Sequence, residues 1–161
     1  MSVLLTGNDL IEAVIEAEKF GAAFYGCLAR NTLSTKARDL FARIGQEEKK
    51  HVDELESLLD APEHAAPAES YPDEYHEYLR ALVEGKSFPD EQTCKQMARD
   101  GRDEAEACPI ASSFEKQVIL LLHELRRFLP EDRHATVQRL LEGEYEHVRH
   151  LHALEQGTAE G

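Results

Sequence analysis

The chain has 161 residues, 42% of them hydrophobic, the length of one ordinary globular domain able to bury about two-thirds of its unfolded surface. Thirty-two acidic against eighteen basic residues leave a formal charge of −14, a field that repels phosphate backbones and excludes nucleic acid as an expected partner. The longest aliphatic run, Val118 to Leu122, is far short of the roughly 20 apolar residues of a membrane span, and MSVLLTGNDL at the start carries no basic leader, so a soluble cytoplasmic protein without a membrane partner is expected.

Prolines at positions 62, 67, 72, 89, 109 and 130 confine long helices to residues 8–61, 110–129 and the stretch after 130. Asn8 or Asp9 suits the N-cap of a first helix running to about Arg30. Asn31-Thr32-Leu33-Ser34-Thr35 then supplies turn and capping chemistry before a second helix to about Asp60. Residues 61–103 are rich in Pro, Ala and Glu at first, then carry one short amphipathic helix with Tyr75, Tyr78, Leu79 and Leu82 on one side. A third helix ends near Leu129, Pro130-Glu131-Asp132 forms the turn, and a fourth helix runs to about Gln156, where Gly157 releases it. The expected architecture is all-α: a single domain over 1–161, with a first helical hairpin (8–60), a long crossover (61–103) and a second hairpin (104–156).

The hairpins resemble each other. Glu48-Lys-Lys-His51-Val52-x-x-Leu55-x-x-Leu58 returns 96 residues later as Glu144-Tyr-Glu-His147-Val148-x-x-Leu151-x-x-Leu154, and Glu18-Lys19 returns as Glu115-Lys116. This describes a duplicated hairpin folded as a four-helix bundle with a pseudo-two-fold relation. Steps of three and four residues trace the inward stripes Leu40, Ile44, Glu48, His51, Leu55, Leu58 and Val137, Leu140, Glu144, His147, Leu151, Leu154. The first helix contributes Ile11, Val14, Glu18, Ala22, Tyr25, and the third Ala111, Glu115, Val118, Leu122. Partners in an antiparallel hairpin are level when equidistant from the turn. The midpoint of Glu18 and Glu48 is Leu33, and that of Glu115 and Glu144 lies between Leu129 and Pro130, both in predicted turns. All six groups are then roughly 22 Å from their turns and meet in one layer if the hairpins pack centre to centre.

Four carboxylates in an apolar layer require countercharge, since burying one unpaired charge costs several kcal/mol. No Lys or Arg shares the level on these stripes, whereas two divalent cations would balance the charge, and each Glu-x-x-His places two ligands on one side of a metal. Hard carboxylates with one imidazole per metal suit two iron ions, with manganese or a mixed pair as alternatives. Cys27, Cys94 and Cys108 are odd in number and lack a C-x-x-C pair, which excludes a disulfide framework, a four-thiolate iron centre and a zinc ribbon.

One Glu on each of two helices with Glu-x-x-His on each of the other two resembles the ferritin-like superfamily, and within it the rubrerythrin group of di-iron proteins. That resemblance implies Glu18 and Glu115 as terminal ligands, Glu48 and Glu144 as bridges, and His51 and His147 as one ligand to each metal. It also places Tyr25, seven residues after Glu18, beside the site as a catalytic residue that touches the ligands rather than the metals. Val118 stands where rubrerythrins carry a further glutamate, which bears on peroxide-linked movement of an iron between ligands, and Leu122 is the duplicate of Tyr25. Without a four-thiolate rubredoxin domain, electrons are expected from a separate donor.

The leading expectation is a rubrerythrin-like non-haem di-iron oxidoreductase that reduces peroxide or dioxygen at a carboxylate-bridged dinuclear centre within a homodimer. A ferroxidase or iron-handling protein with Fe(II) as substrate, and a non-catalytic metal-sensing or adaptor bundle, are the alternatives. Met97, in the crossover, argues against haem held between two methionines. His123, Glu47 and Glu146 lie off the inward faces and read as solubilising residues, His150 and His152 as solvent-facing or as neighbours of the ligands, and Cys27 and Cys108 as small buried thiols. Duplication further predicts similar effects of losing His51 and His147.

Overall fold

The computed structural model describes residues 4–59, 72–84 and 88–158, and these form helices without a strand. α1 (Gly7–Asn31) begins earlier than expected because Thr6 is its N-cap. The Thr6 hydroxyl accepts from the Asp9 N–H at 3.2 Å while the Asp9 carboxylate accepts the Thr6 N–H at 2.7 Å, so Asp9 closes a capping box instead of capping. The Asn31 side chain donates to the Cys27 carbonyl at 2.8 Å at the other end. Ser34, in the expected turn, accepts from the Ala37 N–H at 3.2 Å and starts α2 (Thr35–Leu59). The expected end at Asp60 and the Pro-, Ala- and Glu-rich start of the crossover lie outside the described residues.

The crossover holds two described helices, not one. α3 (Asp73–Glu84) is the amphipathic stretch, with Leu79 fully buried. Tyr75 donates to Glu124 and lies under the Arg127 guanidinium, 5.0 Å from its ring centre, so it docks the crossover on the bundle, whereas Tyr78 is exposed. α4 (Glu91–Arg99) starts with a capping box between Asp90 and Thr93 and ends before Gly101, whose φ of +68° is the left-handed conformation that suits glycine after a helix. Those two signals mark the helix in sequence, and Cys94 and Met97 are its buried face.

α5 (Glu104–Phe128) begins five residues upstream of Pro109, which therefore stands inside the helix. Pro109 removes one backbone bond, to the Ala105 carbonyl. An Asp103–Glu106 capping box and the buried Ala107, Cys108 and Ala111 nevertheless start the helix earlier than proline alone would predict. A 3₁₀ turn (Glu131–Arg133) leads into α6 (His134–Glu155), and Gly157 ends it at φ +64°. α1 packs along α2 and α5 along α6, and the pairs meet through α1 against α5 and α2 against α6. Helices of 25 residues run about 37 Å, so mid-helix residues sit at mid-bundle. The inward stripes hold with three departures: Phe41 and Gly21 are buried where Leu40 and Ala22 are half-buried, and Leu154 at the end of its stripe is half-buried.

The cysteines depart from the sequence expectation. Cys27 on α1 and Cys94 on α4 form a disulfide between residues 67 apart, with a Cα–Cα distance of 6.1 Å, tying the crossover to the bundle. The pairing escapes sequence reading because it depends on α4 docking against α1. Cys108 is the buried free thiol expected, and burial, followed by the charges of Glu155, Glu104 and Asp103, pushes its pKa to about 11. In the chain-entropy description a loop of this length is worth about 4 kcal/mol. Cys27→Ser should accordingly lower the urea midpoint by an amount equivalent to about 2–4 kcal/mol, and dithiothreitol should lower the wild type equally while leaving the variant unmoved. Equal midpoints with and without reductant in the wild type would remove the bond's structural role.

Candidate metal centre

Each long helix brings one carboxylate to the same level of the core. Glu18 on α1, Glu48 on α2, Glu115 on α5 and Glu144 on α6 are all fully buried. His51 and His147 follow their glutamates by one turn; His147 is fully buried and His51 is 8% exposed. The six expected residues therefore converge in one layer. Their ligand atoms fall into two groups, Glu18, Glu48, His51, Glu144 and Glu48, Glu115, Glu144, His147, each with all atoms within 4.8 Å of one another. Glu48 and Glu144 belong to both. Room for them comes partly from Gly21, where a Cβ would lie 2.9 Å from Glu48 Oε2 and 2.7 Å from the Phe114 ring.

Both imidazoles turn Nδ1 inward. His51 Nδ1 lies 2.7 Å from Glu144 Oε1 and 3.6 Å from Glu18 Oε2, and His147 Nδ1 lies 3.0 Å from Glu48 Oε1 and 3.1 Å from Glu144 Oε2. The rings stack with centres 5.5 Å apart. Tyr25, fully buried among Phe24, Phe41 and Phe114, donates its hydroxyl to Glu115 Oε1.

The electrostatics are those of an overcrowded anion site. Burial first, then the charges of Glu18, Glu115 and Glu144, raises the Glu48 pKa well above the ordinary range. Burial and Glu144 push Glu115 to about 7. At His51 burial opposes the charged ring, yet Glu144 and Glu18 override it and push the pKa to about 10. His147 is raised in the same way, burial being overridden by Glu115, Glu144, Glu47 and Glu48. Burial and the Glu115 charge hold Tyr25 well above its usual value, so it stays a neutral donor.

The residues fit a pair of metal ions on an observation independent of charge. Both oxygens of Glu18 and of Glu48, Oε2 of Glu115, Oε1 of Glu144 and Nδ1 of His51 are buried with no hydrogen-bond partner. His51 Nδ1 and Glu144 Oε1 are close but misaligned for a hydrogen bond, as atoms aimed at a common centre are. Native proteins rarely leave so many buried polar atoms unsatisfied in one place. Carboxylate oxygens with one imidazole nitrogen in each group are a hard donor set suited to iron or manganese.

Sequence reasoning missed Glu47. It lies off the inward stripe and is part-exposed, but its Oε2 is 2.8 Å from His147 Nε2, and that hydrogen bond lowers its pKa. Its partner is on α6, so no pattern within α2 signals the contact. His150 meets Arg43 and Arg149 at the surface, His123 meets Tyr145, and Glu146 pairs with Arg149, all away from the cluster.

No protein-family model and no curated protein matches the chain. A solved structure does: the 2.30 Å crystal structure of a Thermotoga maritima protein proposed to be a ferritin-like diiron-carboxylate protein is similar with a TM-score of 0.72 and 21% identity, over 97% of this chain and 98% of that one. The chain folds as a ferritin-like helical bundle with a buried carboxylate–histidine cluster that fits a di-metal site.

Proposed function

We propose that the cluster binds two iron ions and that the protein is an oxidoreductase reducing peroxide or dioxygen, in the manner of rubrerythrins. The observation that carries this reading is the sharing of Glu48 and Glu144 between two ligand groups. Glu48 and Glu144 would bridge, Glu18 and His51 would complete one metal's ligands, and Glu115 and His147 the other's. Two metal ions held side by side supply two electrons together, which suits reduction of an O–O bond. Tyr25, held neutral, orients Glu115 through its hydroxyl and shields that side of the layer with its ring. The apolar stripes above and below keep bulk water out.

A separate electron donor and a homodimer belong to this proposal, as does a cytoplasmic location. Among the described residues no helix is long and apolar enough to cross a membrane. Cys27–Cys94 provides the test of compartment: alkylation under denaturing conditions in freshly lysed cells should trap three thiols per chain if the chain resides in a reducing cytoplasm, the bond then forming on purification in air, and trapping of Cys108 alone would place it in an oxidising compartment.

Aerobically purified protein should contain two irons per chain, and the reduced protein should consume hydrogen peroxide at two electrons and two protons per peroxide, giving two waters. Sustained Fe(II) oxidation by a 24-subunit shell in size-exclusion chromatography would instead make Fe(II) the substrate. Full iron occupancy without turnover of peroxide or dioxygen would leave a metal-sensing or adaptor bundle.

A further inference from the structure

The two histidines are equivalent by duplication but not by environment. The offset of 96 residues that maps Glu48 on Glu144 and His51 on His147 maps Glu47 on Gly143. Each histidine turns its Nε2 edge to that position on the opposite hairpin. His147 Nε2 meets the Glu47 carboxylate at 2.8 Å, whereas His51 Nε2 meets the bare backbone of Gly143, where a Cβ would lie 2.8 Å from Nε2 and 3.0 Å from Cε1. Glu47 therefore has no counterpart, and the His51 ring occupies the space a side chain at 143 would need. The exposures agree: the His147 side chain is 1% exposed and the His51 side chain 10%.

A carboxylate that accepts the outer N–H of a ligating imidazole selects the tautomer with its inner nitrogen free, fixes the ring and increases its basicity. Resting on the di-metal reading above, we infer that Glu47 is a positioning residue for His147, and that the missing carboxylate at Gly143 makes the two metal positions unequal: tight on the His147 side, weaker and more readily exchanged on the His51 side. Glu47 touches neither position directly and acts through the imidazole. The near-equivalence of His51 and His147 expected from duplication is replaced by a larger loss on removing His147.

The test is anaerobic calorimetric titration of the metal-free full chain with Mn(II). Wild type should show two binding events of different affinity. Glu47→Ala should weaken the tighter event ten- to a hundred-fold, the range for such partners of metal-bound histidines, and leave the weaker within two-fold. Glu47→Gln, which keeps an acceptor but loses the charge, should fall between. Gly143→Ala should weaken only the second event. A readout without metal accompanies these: nitrogen-15 spectra of the metal-free chain should show a downfield, slowly exchanging Nε2–H at His147 and none at His51, and Glu47→Ala should abolish it. Two Mn(II) bound with affinities that Glu47→Ala leaves within two-fold would overturn the inference alone. A wild type that takes up no Mn(II) would overturn it together with the di-metal reading.

Discussion

Glu48→Gln and Glu144→Gln, each introduced alone, will reduce the metal taken up by the purified chain from two ions to one or none. Both glutamates lie within reach of every other ligand atom in two groups, so either loss removes a negative charge and a donor from both metal positions at once. Glu18→Gln or Glu115→Gln touches one group only and should leave one position occupied. The amide keeps the shape of the carboxylate, so the bundle survives and metal content by mass spectrometry reads ligation, not folding. Retention of two metals by either bridging variant would remove the assignment of Glu48 and Glu144 as shared ligands.

The metal-free chain will lose stability as pH rises from about 5 to 10, and metal will restore it. Glu115 has a folded pKa of about 7 against an ordinary 4.5, and Glu48 is raised in the same direction. His51 stays charged to about 10 against an ordinary 6.5. All three shifts mean that the folded chain holds protons the unfolded chain has released, so stability falls with pH across this window. The carboxylate contribution is lost between about 4.5 and 7, and the histidine contribution between 6.5 and about 10. A metal at a thousand times its dissociation constant adds back about 4 kcal/mol.

The double variant Glu18→Gln, Glu115→Gln sharpens the test. It removes two buried charges while leaving the apolar stripes and an acceptor for Tyr25, so at pH 8 its metal-free form should melt several degrees above metal-free wild type, at about 2–4 °C per kcal/mol for a chain of this size. The same variant should bind Mn(II) or Fe(II) more weakly, trading affinity for stability. Melts of chelator-treated proteins from pH 6 to 8, with and without metal, measure both. A double variant no more stable than metal-free wild type at pH 8, with no stabilisation of wild type by either metal, would mean that these glutamates are not confronted in the core.

The sequence by itself determined the four long helices and the six converging residues. Helical period places Glu18, Glu48, Glu115 and Glu144 on apolar stripes, the duplication repeats the interruption, and distance from each turn makes the pairs level. These are local or one-dimensional properties, and burial follows once apolar faces must meet. Starts were less legible where two local signals competed: Asp9 looks like the cap but closes a box whose cap is Thr6, and Pro109 confines the uninterrupted helix to 110–129 although α5 begins at Glu104, the first residue of the expected second hairpin. What only the tertiary structure decided are contacts between elements with no shared period. Cys27 meets Cys94 because α4 docks on α1, Glu48 approaches α1 because position 21 is glycine, and Glu47 reaches His147 because α2 packs against α6. The duplication even argued against that last contact, since it pairs Glu47 with a glycine. A repeat in sequence specifies which backbones are alike, but the environment of each side chain is set by the opposite hairpin, where the two halves have diverged.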